Sequence, residues 1–314
     1  MRMRAIRVEK AGLLTTVQDL GREGYGPIGV SPSGAADPIS LRLGNLLVGN
    51  QENAAGLEMT LHGGTFAFPD GAIVALTGSD FGATLDDEAI GLHESFEVRA
   101  GQTLRLGATR SGARCYLCVR GGIEVAPFLG SASTHLLSGL GGFEGRALRN
   151  GDMLRIGHAG TKFRKRRIPA RVSEQLAARG VLRVTAGPQA DWFSTAARRA
   201  FCAGTYRVGE QSDRMGLRLA GARIPLKRER PMITEGVSLG AVQIPQAGAP
   251  IILFVEQQTT GGYPKIANVI SADLHRVGQL RPRDEIRFEE VTFMQARSVL
   301  IEQEKMLASQ VIVE

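Results

Sequence analysis

The stretch from residue 250 to residue 265 reads PIILFVEQQTTGGYPK and joins an apolar run to a dense polar block. The run from Pro250 to Val255 predicts a buried strand. The block after it gathers amide, hydroxyl, phenol and ammonium groups at the end of that strand, and its glycines let backbone approach a ligand because they have no Cβ atom. The pattern favours either a site for a carboxylate, amide or ureido group or a structural glycine turn between strands.

Further motifs occur along the rest of the chain. Upstream of the block are QSDRMGLRL at 211–219, EGV at 235–237 and QIP at 243–245. Near the start are TTVQDLGR at 15–22, GVSPSGAAD at 29–37, NLLVGN at 45–50 and LEMT at 57–60. In this order the motifs resemble the allophanate hydrolase subunit 2 family, also called the biotin-dependent carboxyltransferase family. The resemblance runs from about Ile6 to about Phe288.

The resemblance implies a mainly β fold, with two cyclophilin-like β-barrel domains and a few short helices. We expect the N-terminal domain at residues 1–165 and the C-terminal domain, which ends in a helix, at residues 180–314. The boundary is placed there because the segment from Thr161 to Gly180 is polar and basic.

The resemblance also implies a role in an enzyme complex. It is strongest to the branch of the family that hydrolyses 5-oxoproline to glutamate with ATP as co-substrate. That branch works with an A-type partner chain and a B-type partner chain, the latter similar to allophanate hydrolase subunit 1, and ATP is bound by this chain or by a partner. Two other functions stay open. One is a carboxyltransferase component that acts on urea or a related amide with biotin carried by a partner. The other is a non-catalytic regulator that binds a kinase inhibitor as its partner.

The candidate site residues come from two groups of motifs. Asp213 and Glu235 are the predicted proton-handling acids, and Arg214 offers a planar fork for a substrate carboxylate. The polar block adds the predicted substrate contacts Gln258, Thr259, Thr260, Tyr263 and Lys265. The N-terminal motifs contribute a counterpart consisting of Asp19, Arg22 and Ser33.

Several of these residues also have a structural interpretation. Asp213 and Arg214 could belong to an internal ion pair, and Asp37 is most simply a helix cap. Glu58 and Glu235 are each either a paired structural acid or a site acid, because a buried carboxylate needs a partner. The Lys265 side chain could instead extend to the surface. Glu256 stands where the family often has Asp, which keeps the charge but moves it by one methylene.

Composition narrows the class of protein. The chain has 314 residues, a net charge of +7 and 43% hydrophobic residues, as expected of a globular protein.

The basic run at 162–167 is interpreted as a solvated linker rather than a nucleic-acid surface, because no aromatic stacking platform accompanies it. No apolar stretch approaches the roughly 20 residues that span a bilayer. The basic start lacks the apolar region of a secretory signal, and an odd count of three cysteines indicates a reducing cytoplasm.

Some motifs are missing from the sequence. It contains no GxxxxGK[ST] phosphate loop, no GxGxxG fingerprint and no Ala-Met-Lys-Met biotin-attachment sequence. Cys115 and Cys118 lie in a strand-like run, where residues three apart face opposite sides, so we expect no shared metal site. ATP-dependent or biotin-dependent chemistry would therefore need groups from other chains.

The first half of the chain predicts short strands separated by glycine turns. The clearest are at Phe66–Phe68, Ile73–Leu76, Phe96–Val98, Leu104–Leu106, Tyr116–Val119 and Met153–Ile156. A helix is predicted at Ile39–Val48, with Asp37 as its N-cap and Gly49 as its end. The second half predicts strands at Val181–Thr185, Ile251–Val255 and Ile286–Phe288 and helices at Gln189–Phe201 and Thr292–Ala308. The last helix is expected to pack through Phe293, Ala296, Leu300 and Leu307.

Overall fold

The computed structural model describes residues 4–160, 162–177, 180–227, 232–309 and 312–313. The chain forms two compact units. The first unit consists of residues 1–22, 33–177 and 307–314, and the second of residues 23–32 and 178–306. Each unit therefore includes a short segment from the half of the chain that mainly forms the other unit.

The secondary structure up to residue 176 is mostly short strands. The elements are β1 Ala5–Lys10, β2 Thr15–Gln18, α1 Pro38–Val48, β3 Gly56–Thr60, β4 Thr65–Ala67, β5 Ala72–Gly78, β6 Thr84–Leu85, β7 Glu88–Ala89, β8 Ser95–Val98, β9 Thr103–Arg105, β10 Arg114–Val119, β11 Ile123–Glu124, β12 Met153–Ile156, β13 Arg166–Arg167 and α2 Ala170–Leu176, with a 3₁₀ turn at Gly26–Ile28.

The remainder of the chain is also rich in strands. Its elements are β14 Val181–Ala186, α3 Thr195–Ala203, β15 Tyr206–Val208, β16 Gly216–Ala220, β17 Glu235–Gly236, β18 Ala241–Gln243, β19 Ile251–Leu253, β20 Thr260–Gly261, β21 Lys265–Val269, α4 Leu274–Gly278, β22 Glu285–Glu290, α5 Phe293–Ser309 and β23 Ile312–Val313, with 3₁₀ turns at Ala190–Trp192 and Ser271–Asp273.

Two antiparallel sheets make up most of the first unit. One has the strand order β11-β12-β1-β4-β9-β6-β7 and the other has the order β2-β3-β10-β5-β8. A single apolar cluster draws residues from both sheets, so the core lies between them. Cys115 belongs to that core, whereas the thiol of Cys118 contacts the Leu41 carbonyl of α1 at 3.7 Å. The two cysteines thus face opposite sides of β10, as their spacing predicts.

A closed barrel forms the centre of the second unit. Its strand order is β14-β21-β18-β19-β16-β15-β22. Side chains alternate between inside and outside along each strand, which the buried-exposed alternation of β16 and β22 reflects. Phe201 of α3 stacks on Phe288 of β22 with ring centroids 4.4 Å apart. The prediction of a mainly β fold with short helices is confirmed.

Helix α1 begins and ends where its sequence predicts. The Asp37 carboxylate accepts a hydrogen bond from the Ser40 amide at 2.9 Å, and Pro38 occupies the first turn. Gly49 ends the helix in the left-handed conformation, with φ of 73°. Capping is a local interaction, which is why the sequence alone located both ends of this helix.

Two helix predictions need correction. The helix predicted at Gln189–Phe201 is a 3₁₀ turn followed by α3, which begins at Thr195 because extended Phe193 interrupts it and the Ser194 hydroxyl caps the Ala197 amide. Helix α5 is present, but its predicted packing face is wrong at Phe293, which is 75% exposed, and right at Leu307. Within the described ranges, no helix combines the length and apolar character needed to cross a membrane.

We expect Asp37→Ala to lower the free energy of unfolding by about 1 kcal/mol, because the first turn of α1 loses its capping acceptor. Asp37→Asn is the matched control, since its side-chain oxygen can still accept from Ser40. Urea unfolding of the three proteins, followed by circular dichroism, measures the difference. An alanine variant as stable as the parent would contradict the capping role.

Candidate functional site

The polar block is held against two other motifs of the second unit. After β19 the Phe254 amide donates to the Met215 carbonyl at 2.9 Å, and the Glu256 amide donates to the Arg214 carbonyl at 2.8 Å. The block then forms β20, which pairs antiparallel with β17 in the register Glu235↔Gly261 and Gly236↔Thr260. The three motifs at 211–219, 235–237 and 256–265 are therefore neighbours in space.

A pocket of about 320 Å³ opens beside the block. It is lined by Asp213, Met215, Gly216, Arg218, Gln243, Pro245, Ile251, Leu253, Gln258 and Tyr263. Three of the predicted site residues, Asp213, Gln258 and Tyr263, are among them. The volume and the mixture of apolar walls with a few polar groups are typical of a site for a small molecule.

Strand register explains how the pocket is built. Arg218 of β16 and Gln243 of β18 both lie opposite Ile251 of β19, so the three side chains form one row across three strands. The adjacent row, Leu217, Ile252 and Val242, is buried by at least 96% and faces the barrel interior. The pocket therefore lies on the outer face of the barrel.

Asp213 presents a carboxylate at the edge of this pocket. Its Oδ1 accepts hydrogen bonds from the Met215 amide at 2.8 Å and the Gly216 amide at 3.1 Å. These two bonds fix the orientation of an otherwise exposed side chain. A carboxylate held this way can orient a substrate N–H group or accept a proton.

Arg214 does not line the pocket. Its guanidinium forms a buried ion pair with the Glu256 carboxylate, and the two side chains are 5% and 3% exposed. Glu256 is the residue that departs from the usual Asp of the family. The pair joins the end of β19 to the segment before β16, so Arg214 has an internal partner, and its predicted contact with a substrate carboxylate remains a prediction.

Glu235 and Lys265 form a second polar cluster of the same unit. The Lys265 ammonium, 3% exposed, donates to Glu235 Oε1 at 2.5 Å, and the Gln189 side-chain amide donates to the same oxygen at 2.9 Å. These hydrogen bonds, that of Lys265 first, lower the pKa of the Glu235 carboxyl. The alternative in which Lys265 extends to the surface is wrong, since its ammonium is buried against an acid.

The two threonines of the polar block lie outside the pocket. Thr259 is half-buried, and its carbonyl accepts the Val237 amide at 3.1 Å. Thr260 lies in β20 with its side chain exposed. Neither residue lines the pocket. Their predicted contacts with substrate stay predictions, whereas Tyr263 lines the pocket and is 46% exposed.

The N-terminal candidates belong to the first unit and bind one of its loops. Asp19 accepts hydrogen bonds from the Ser131 hydroxyl at 2.6 Å and the Ala132 amide at 2.6 Å. The Arg22 guanidinium donates to the Ser133 carbonyl, and the Ser33 hydroxyl donates to the Thr134 carbonyl at 2.7 Å. All three candidates are at most 8% exposed. Their shared target is therefore the segment 131–134.

Glu58 is a paired structural acid. Its Oε2 accepts the Tyr116 hydroxyl at 2.7 Å and the Ala36 amide at 2.8 Å, and its Oε1 lies 3.4 Å from Arg114 Nε. The Tyr116 oxygen in turn accepts the Asp37 amide at 2.7 Å. Burial, and then the Glu58 charge, raises the pKa of Tyr116. This network holds the start of α1 on β3 and β10.

Sequence reasoning missed two polar side chains of the pocket, those of Arg218 and Gln243. Arg218 stands between two buried leucines, an alternation that marks an outward residue of a barrel strand but does not say what covers it. Gln243 begins a motif that supported only the family resemblance. The strand register that unites them joins segments about 25 residues apart, and no local signal predicts it.

A second cavity, of about 570 Å³, lies in the first unit and includes Lys10, His62 and Arg105 in its lining. None of the predicted site residues lines it. Arg105 pairs there with Asp87 at 2.5 Å. Across the described part of the chain, no group of three or more His, Cys, Asp and Glu side chains is arranged to hold a metal ion.

Known proteins resemble this chain over nearly its whole length. Residues 28–290 match the carboxyltransferase domain family, subdomains A and B. The chain is 39% identical over 300 residues to the C subunit of 5-oxoprolinase from Escherichia coli (strain K12), and the match covers 96% of both chains. It is 35% identical over 313 residues to urea amidolyase of Saccharomyces cerevisiae, with coverage of 94% of this chain and 17% of that protein.

The fold is shared as well. The crystal structure of the K. lactis urea amidolyase matches with a TM-score of 0.90 at 32% identity, covering 96% of this chain and 20% of that chain. The chain thus spans only a small part of the urea amidolyases but nearly the full length of the E. coli protein. From this agreement of motifs, fold and identity, the chain belongs to the family of carboxyltransferase domains, subdomains A and B.

Proposed function

We propose that the chain is the C-type component of an ATP-dependent 5-oxoprolinase, which hydrolyses 5-oxoproline to glutamate with A-type and B-type partner chains. The observation that carries the proposal is the pocket where Asp213, Gln258 and Tyr263 meet beside apolar walls. The similarity to the C subunit of E. coli 5-oxoprolinase over 96% of both chains supports it. The proposal places the complex in the cytoplasm, in keeping with the free cysteines Cys115, Cys118 and Cys202.

The chain's own residues bind and orient the lactam in this proposal. A lactam is a stable amide, and ATP supplies the phosphoryl group that activates its carbonyl oxygen. Gln258 and Tyr263 offer hydrogen-bond donors to the bound substrate, and the fixed Asp213 carboxylate can accept from its ring N–H or from the attacking water. Holding the reacting groups in place removes much of the entropic part of the activation barrier.

The pocket itself does not suit the triphosphate of ATP. Its lining includes one guanidinium, that of Arg218, together with the Asp213 carboxylate, which repels phosphate oxygens. Triphosphates are usually held by rows of backbone amides and several cations. We therefore place the amide, and not ATP, in this pocket.

A second candidate function is carboxyl transfer to urea with biotin supplied by a partner chain. The match to the urea amidolyase structure, with a TM-score of 0.90, favours it. The two functions predict different requirements. The first requires ATP hydrolysis that depends on 5-oxoproline, and the second requires a biotinylated partner and urea.

Tyr263→Phe is expected to reduce 5-oxoproline-dependent ATPase activity of the reconstituted three-chain complex about tenfold. The variant removes a single hydroxyl from an exposed side chain, and one lost hydrogen bond is worth about 1 to 1.5 kcal/mol, or roughly a factor of ten in rate. The control is Arg207→Gln, which alters an exposed ion pair with Glu285.

Two results would count against this assignment. Full activity of Tyr263→Phe in an intact complex removes Tyr263 from the site. A parent complex whose ATPase activity does not respond to 5-oxoproline removes the proposed function and favours the second candidate.

Lys265→Met is expected to raise the pKa of Glu235 toward its ordinary value of 4.5, because it removes the main cause of the depression. Gln189→Leu should raise the pKa of Glu235 by less, because it removes the second, smaller cause of the depression. Carbon-13 NMR titration of the Glu235 carboxyl measures both shifts. An unchanged titration in Lys265→Met would show that the buried ammonium does not control this acid.

The same shift gives a pH dependence of stability. A carboxyl whose folded-state pKa is lowered stabilises the fold above its unfolded-state pKa, and this contribution is lost as the pH falls through the folded-state value. The difference in unfolding free energy between the parent and Glu235→Gln should therefore be full above about pH 4.5 and shrink below it. Urea unfolding at a series of pH values tests the direction.

A further inference from the structure

Gln243 is a buried side chain with an unused donor. It is 2% exposed and lines the pocket, and among the described residues its Nε2 atom has no hydrogen-bond partner. An amide donor that is buried and unpaired destabilises a folded protein. Such a donor is expected where a ligand completes the hydrogen bonding.

The polar block packs closely against the Gln243 amide. A Cβ atom added at Gly261 would lie 2.5 Å from Gln243 Nε2, so a side chain at this position would displace the amide. Gly261 is itself buried and fixed by its pairing with Glu235. The glycine at position 261 therefore allows the close approach of backbone to the Gln243 amide.

Arg218 supplies a cation at the other end of the same cross-strand row. Its side chain is exposed, and no described carboxylate pairs with its guanidinium. Its backbone amide donates to the Ser212 hydroxyl at 3.1 Å, and its backbone carbonyl accepts from the Gly209 amide at 2.8 Å and from the Ser212 hydroxyl at 3.5 Å. The guanidinium is thus available to a ligand carboxylate, for which its fork geometry is suited.

An apolar surface separates the two polar groups. Ile251 lies between Arg218 and Gln243 in the row, and Leu253 lies next to it on the same face of β19. The two outer strands of the row are roughly 10 Å apart. A small molecule with an acceptor at each end and aliphatic carbon between them matches this order of groups.

We propose that Arg218 and Gln243 are the specificity-determining residues of the pocket, with Arg218 binding a substrate carboxylate and Gln243 donating to the amide carbonyl oxygen. The inference rests on the proposed function, in that it takes this pocket as the substrate site. It commits the pocket to a carboxylate-bearing cyclic amide. Urea has neither a carboxylate for Arg218 nor aliphatic carbon for Ile251 and Leu253, so the pocket discriminates against it.

The test compares two ligands in the reconstituted complex with its partner chains. One is 5-oxoproline, assayed by its KM in the ATPase reaction, and the other is 2-pyrrolidinone, the same lactam without the carboxylate, assayed as a competitive inhibitor. Arg218→Gln should raise the KM for 5-oxoproline on the order of tenfold and leave inhibition by 2-pyrrolidinone unchanged. Gln243→Met should weaken the binding of both ligands by a similar factor. Arg207→Gln is the surface control for both.

The melting temperature of ligand-free Gln243→Met separates ligand binding from a role in folding. Methionine has about the same length as glutamine and removes an unpaired donor from a buried place, so the variant should melt no lower than the parent. A lower melting temperature with an unchanged KM would show that the amide serves the fold and overturn its assignment.

The remaining outcomes are also distinct. If the parent complex responds to 5-oxoproline and both variants keep its KM, the inference is overturned and the proposed function stands. If the parent complex shows no response to 5-oxoproline, the proposed function fails, and the assignment of these two residues fails with it. A KM effect of Arg218→Gln that is matched by an equal loss of 2-pyrrolidinone inhibition would overturn the carboxylate assignment.

Discussion

The buried ion pair between Arg214 and Glu256 is the interaction on which the site of the second unit depends. Both side chains are at least 95% buried, and removing one partner of such a pair leaves a charge in a dry environment at a cost of about 3–5 kcal/mol. With two backbone hydrogen bonds beside it, the pair fixes the turn before β16 against the end of β19. The pocket is the space that these two segments leave on the outer face of the barrel.

Three cations near the polar block differ in burial and in their partners. Arg214 and Lys265 are both buried cations with an acid as partner, but the acid of Lys265 is half-exposed and has a lowered pKa. Arg218, by contrast, is exposed and lines the pocket. Of the three cations, Arg218 is the one whose guanidinium is best placed for a ligand. The motif that contains Arg214 therefore contributes to the site through its neighbours.

The N-terminal motifs show the limit of interpreting polar residues by type alone. Asp19, Arg22 and Ser33 have the groups that a substrate site needs, yet all three form hydrogen bonds with the segment 131–134 of the first unit. A carboxylate or guanidinium binds whichever partner the fold supplies, and a loop roughly a hundred residues away is invisible to local sequence patterns. Asp37 could be interpreted correctly because a helix cap is satisfied within three residues.

The sequence by itself determined the family, the mainly β class, the positions of nine strands and both ends of α1. These follow from ordered motifs, from period-two alternation and from capping, all of which are local. Of the site residues that it predicts, Asp213, Gln258 and Tyr263 line the pocket, and their roles there stay predictions. Only the tertiary structure decided that Arg214 is paired internally and that Arg218 and Gln243 share one row with Ile251. The physical reason is that strand register and burial, which choose between a protein partner and a ligand, arise from contacts between distant parts of the chain.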